Sequence, residues 1–150
     1  MFEYYWAVMP FGFLFVVFRF WYEDFGNRKR GLYIEIPPDE EILWFEKRAS
    51  GRSSKSFRTK VGGASNCLGV YLTSEALLIQ PSSFFRVLAP RFDLIQKIPI
   101  ESIVSVESSK NRIGSYIEIE FRDSSGELRV FCLTLRNQRA FLDRLSGIRN

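Results

Sequence analysis

Residues 66–135 read NCLGVYLTSEALLIQPSSFFRVLAPRFDLIQKIPIESIVSVESSKNRIGSYIEIEFRDSSGELRVFCLTL. Short apolar or alternating runs (NCLGVYL, ALLIQP, LIQKIPI, SIVSVE, YIEIEF and LRVFCLTL) are punctuated here by Thr-Ser, Pro-Ser-Ser and Asp-Ser-Ser-Gly, the residues that close turns. Leu68, Val70 and Leu72 alternate with Cys67, Gly69 and Tyr71, and Ile117, Ile119 and Phe121 alternate with Tyr116, Glu118 and Glu120. This period of two is that of half-buried strands. The run from Phe84 to Ile100 contains Pro90 and Pro99, which places it at an edge or in irregular extended structure. After the last strand Asn137 is placed to cap a helix whose Phe141, Leu145 and Ile148 share a face, widened by Ala140 and Leu142, with Gly147 as its stop. The pattern predicts a mainly β domain capped at one end by a C-terminal helix.

Upstream, composition changes. Of the 24 aromatic residues, twelve lie between Phe2 and Phe25. From Tyr4 to Phe18 no residue is charged, and after Arg19 the run resumes as Phe-Trp-Tyr. As a helix, residues 4–22 would span roughly 28 Å, close to the roughly 30 Å hydrocarbon core. Tyr4, Tyr5 and Trp6 at one end and Trp21 and Tyr22 at the other would sit at the two headgroup levels, with Phe11, Phe13, Phe15 and Phe18 between them and Arg19 snorkelling. Residues 1–25 are therefore expected to form an N-terminal transmembrane helix. A cleaved signal lacks its basic start and small-residue site here, and a core or oligomer contact is the bland alternative. Arg28, Lys29 and Arg30 follow the run, so the positive-inside rule puts the remainder of the chain on the cytoplasmic side of the inner membrane.

Residues 26–60 read as a basic juxtamembrane segment and 61–150 as the β domain. Within the former, Leu32–Ile36 alternates as a short strand. Pro37 and Pro38, then three acidic residues, then Lys47 and Arg48, then Gly51, follow the order of a capped helix, with Ile42, Phe45 and Ala49 on one face. Between Lys47 and Lys60 the chain carries six basic residues, Lys47, Arg48, Arg52, Lys55, Arg58 and Lys60, and no acidic one. Beside a bilayer each can gain about 1 kcal/mol from an anionic leaflet. The bland alternative is a solvated loop.

Several chemistries are missing. The chain has no histidine, and its two cysteines, Cys67 and Cys132, lie far apart inside strand patterns, so neither a zinc nor a redox spacing can be read. The serines have no histidine to activate them, and VGGAS lacks the final Lys-Ser of a phosphate loop. Glu118 and Glu120 share a strand face, which a solvated surface explains without a cleft. No cofactor or metal is implied, and no RNA- or DNA-binding signature accompanies the net charge of +4.

The stretch from Asn66 to Glu107, with LGVYLT, the apolar segment Phe84–Pro90 and IPIESI in that order, and the upstream RASG at Arg48–Gly51, resembles small bacterial membrane-anchored proteins with a GRAM-like or pleckstrin-homology-like domain. Arg52 and Ile100 depart from the aromatic residues expected at those positions. The resemblance implies a partly open β-barrel of about seven strands with a C-terminal helix, and a non-enzymatic module binding anionic lipid headgroups or an acidic protein partner. It transfers no catalytic residue. The alternative role is a structural accessory subunit of a membrane complex, packing its N-terminal helix on another membrane protein.

Overall fold

The structure is a computed structural model that describes residues 5–54, 63–82, 85–87, 89–111 and 114–149, with backbone only for 5–13, 91 and 111. Two compact units divide the chain, 1–33 and 34–150.

The first unit holds helix α1, Tyr5–Lys29. Its described side chains from Leu14 to Phe25 are largely exposed, with Phe15, Phe18, Trp21 and Tyr22 each more than 60% accessible. The expected transmembrane helix is not found: among the described residues no helix is long and apolar enough to cross a membrane. The reason lies in its second half, where Arg19, Glu23, Asp24, Arg28 and Lys29 interrupt the apolar run. These charges are paired one turn apart, Arg19 with Glu23 at 3.3 Å and Arg28 with Asp24 at 2.9 Å, and Lys29 sits 4.7 Å from the Phe25 ring centre. Tyr4 and the side chains of Tyr5, Trp6, Phe11 and Phe13 lie outside the described residues.

The second unit is one seven-stranded antiparallel sheet, not closed, with a C-terminal helix. Its strands are β1 (Trp44–Ser53), β2 (Ala64–Leu72), β3 (Ala76–Pro81), β4 (Gln96–Pro99), β5 (Ile103–Asn111), β6 (Gly114–Arg122) and β7 (Leu128–Thr134). They are ordered β4-β3-β2-β1-β7-β6-β5. Helix α2 (Gln138–Arg149) begins at Asn137, whose Oδ1 accepts a bond from the Ala140 amide at 3.2 Å, and runs through Gly147 without stopping there. Leu68, Val70, Leu72, Leu77, Ile79, Ile117, Ile119, Phe131 and Leu133 fill the core, and α2 adds Phe141 and Leu145 to it. Trp44 packs its ring on Phe141, 5.1 Å between centres and close to edge-on. In the described part of the proline-bearing run two short 3-10 turns, Phe85–Val87 and Ala89–Phe92, precede β4 at the sheet edge, in line with the expected irregular and edge structure.

Two expectations upstream are corrected. Leu32–Ile36 forms no strand. The predicted helix over 37–51 is a single 3-10 turn, Asp39–Glu41, followed by β1. Strand β1 has partners on both sides, β2 and β7, and the backbone bonds of two ladders outweigh the weak helical preference of the segment. Gly51 marks the tightest point: a Cβ there would lie 2.8 Å from Phe131 Cε1, 2.9 Å from Leu68 Cδ1 and 3.0 Å from the Cys132 carbonyl oxygen. Gly51→Ala is expected to destabilise the domain by about 1–3 kcal/mol through overpacking. A thermal melt checks it, and a melting temperature equal to that of the native chain would contradict the close approach.

Candidate functional site

An irregular ladder builds the site. Along β1 the partners on β2 are Glu46 with Val70, Ala49 with Leu68 and Gly51 with Ala64. Three residues of β1 thus span two of β2 between the first pairs, so one extra residue is bulged out. In a regular strand Lys47 and Arg48 would point to opposite faces. The bulge lets both line one groove on the face turned away from the core. Between the second pair the excess falls on β2, where Asn66 takes a left-handed conformation, φ +53°, and its amide bonds Ser50 Oγ at 2.9 Å.

This groove encloses about 410 Å³ and is lined by Lys47 and Arg48 of β1, Asn66, Gly69 and Tyr71 of β2, Gln80 of β3, and by Ser82 and Arg86 beyond it. Three cations and no carboxylate stand among its described lining residues. Phe45 stacks on Tyr71 at one end, 4.6 Å between ring centres, and the Lys47 ammonium lies 5.7 Å from the Phe45 centre. Ser82 Oγ donates to the Cys67 carbonyl at 3.2 Å, which leaves its own lone pairs for a donor.

Arg86 reaches the groove from the connection between β3 and β4, whose far end is anchored. Asp93 Oδ2 accepts bonds from Ser53 Oγ at 2.6 Å and from Arg129 Nη2, joining the connection to β1 and β7. Both partners of this ion pair are mostly buried, Arg129 10% and Asp93 17% accessible, and Arg129 also lies over the Phe121 ring. Such a pair holds a segment in place more than it adds to stability.

Of the basic residues singled out from sequence, Lys47 and Arg48 come together here. Arg52 is exposed and does not line the groove, and Lys55, Arg58 and Lys60 lie outside the described residues. Arg86 and Gln80 were not singled out, although a glutamine inside the apolar run ALLIQP is a visible signal. Glu118 and Glu120 are half-buried on β6, opposite Glu107 and Ser105, and Ser105 Oγ donates to Glu120 Oε2 at 3.1 Å. Among the described residues no three Cys, Asp or Glu side chains converge as metal ligands. Both cysteines are free thiols. The chain matches no known family model and no curated protein.

Tyr71 lines the groove as a protonated phenol at neutral pH, and burial pushes its pKa further above the ordinary value. Burial likewise raises the Cys67 thiol, partly offset by the hydrogen bond with the Ser65 backbone. Both groups hold protons in the fold that the unfolded chain releases first, at about 9.0 for the thiol and 10.0 for the phenol. Their contribution to stability is complete below those values and is lost as pH rises through the folded pKa. Melting temperature is therefore expected to fall from about pH 9 upward, less steeply above pH 10 in Tyr71→Phe. An identical alkaline slope in the variant would refute the role of the phenol.

Proposed function

We propose that the chain is a non-enzymatic binding module attached to the cytoplasmic membrane through α1, whose β domain takes anionic headgroups in the groove of Lys47, Arg48 and Arg86. The observation that carries this reading is a recess with three cationic residues and no carboxylate among its described lining residues. Anions gain both charge and bidentate guanidinium contacts in such a recess. The strand order β4-β3-β2-β1-β7-β6-β5 with a C-terminal helix supports a pleckstrin-homology-like architecture, four strands and three strands meeting at β1 and β7. Arg52 and the run Lys55, Arg58 and Lys60 add basic charge close by in sequence.

Attachment rests on the exposed aromatic side chains of α1, which water solvates poorly. Four of its five charges are already paired within the helix, which lowers the cost of moving them into the boundary between headgroups and acyl chains. The full chain is expected to bind neutral vesicles through α1 and anionic vesicles more tightly. Three cations at about 1 kcal/mol each give a gain of roughly 100-fold at low salt. The gain should shrink as salt is raised and lose most of its size in a K47A/R48A/R86A variant whose neutral-vesicle binding is unchanged, Arg52 and the run Lys55, Arg58 and Lys60 accounting for the remainder. A gain undiminished by the triple substitution refutes the groove.

The second reading, an accessory subunit with α1 packed on another membrane protein, draws on the same exposed rings. It expects one stoichiometric partner to remain with the full chain after mild detergent extraction. Extraction of the chain alone removes it.

A further inference from the structure

Large apolar side chains stand in water beside the cationic groove. Ile36, 48% accessible, is itself part of the groove lining. Leu43, just before β1, and Phe45 and Lys47 within it are alternate residues and all exposed, so they form one row on the outer side of the strand. The Leu43 amide extends the ladder with a 2.8 Å bond to the Leu72 carbonyl, and Trp44 between Leu43 and Phe45 packs on Phe141 of the core. Phe45 stacks on Tyr71, which lines the groove, and Lys47 lines it as well. The row thus runs from two apolar residues, 43% and 40% accessible, into the cation. A further exposed ring, Phe85, directly precedes Arg86 in the same short turn.

An exposed apolar residue standing singly calls for no explanation, but a group of them around one cationic recess marks a contact surface. A bilayer offers the complementary order, anionic phosphates at headgroup level and apolar chains just beneath. A free phosphate compound matches the cations but leaves the apolar row in water. Resting on the headgroup reading above, we propose that the β domain docks on the bilayer by this face, the groove taking a lipid phosphate while Ile36, Leu43 and Phe45 enter the boundary between headgroups and acyl chains. The phosphate then belongs to a bilayer lipid. Affinity has two parts, an electrostatic one that salt screens and an apolar one that it does not.

The test sets phosphatidic acid, diluted in phosphatidylcholine vesicles, against soluble sn-glycerol 3-phosphate, which carries the same phosphate without acyl chains. An I36S/L43S variant of the full chain, which keeps the Phe45–Tyr71 stack, is expected to bind the phosphatidic acid vesicles roughly tenfold less tightly, since each of the two side chains has nearly half of its surface left to bury. Its binding to phosphatidylcholine alone and to glycerol 3-phosphate should match that of the native chain. If the pair melts early, Ile36→Ser alone carries the test with a loss of about threefold. An undiminished affinity of the variant for phosphatidic acid vesicles overturns the apolar contact and leaves the groove standing. An equal loss on phosphatidylcholine alone overturns the joint face, because the side chains then act without the phosphate. A loss for glycerol 3-phosphate means that they shape the groove itself, and overturns the bilayer contact too. A native chain that binds phosphatidic acid vesicles no more tightly than phosphatidylcholine overturns the headgroup reading and the docking face with it.

Discussion

Strand β1 has to satisfy two ladders at once, and the rest of the sheet depends on its doing so. On one edge it meets β2, on the other β7, and through these it joins β3 and β4 to β5 and β6. A central strand has no freedom to slide, because a slip of one residue would turn the core-facing positions outward on both sides. Gly51 shows how closely the neighbours approach: Phe131 of β7 and Leu68 of β2 meet over it in the space a methyl group would take. The absence of one side chain there leaves room for two core residues from opposite edges.

The same strand has one residue too many between Glu46 and Ala49, and this excess couples the fold to the groove. A regular ladder would send Lys47 and Arg48 to opposite faces, one of them toward the core. Burying a charge in that way costs far more than a local irregularity. The bulge resolves the conflict by exposing both cations on a single face. Across the groove, Arg86 comes from an irregular connection whose position is fixed by the Asp93 carboxylate between Ser53 and Arg129. The bulge and this connection bring three positive charges to the lining of one groove.

The bulge also explains why part of the fold was legible in the sequence and part was not. Strands β6 and β7, helix α2 and the second half of β2 keep an uninterrupted period, so Leu68, Val70 and Leu72, or Ile117, Ile119 and Phe121, announce their buried face. In β1 the positions whose partners point to the core are Trp44, Glu46, Ala49 and Gly51, a spacing of two, three and two. That sequence of steps has neither the period of a strand nor that of a helix. The acidic, basic and glycine residues around it imitate helix caps, and Ile42, Phe45 and Ala49 happen to fall at helical spacing. Site residues followed the same logic. Lys47 and Arg48 stood out because charge is visible in a sequence, but their convergence with Arg86 depends on a long-range pairing that no local pattern carries. Gln80 is a polar residue in a buried strand, and its place in the groove lining follows from the strand order, which no local pattern carries.

Each cation in an open groove contributes little by itself, since solvent screens it and a phosphate must surrender water to reach it. A soluble module built this way would bind a single headgroup weakly. On the proposed reading, α1 changes the arithmetic: attachment makes the second contact intramolecular, with an effective headgroup concentration in the millimolar range or above. Weak affinity then suffices, and discrimination matters more than strength. The aromatic helix and the cationic groove would divide the work, the helix holding the chain at the bilayer and the groove responding to the negative charge of the headgroups there.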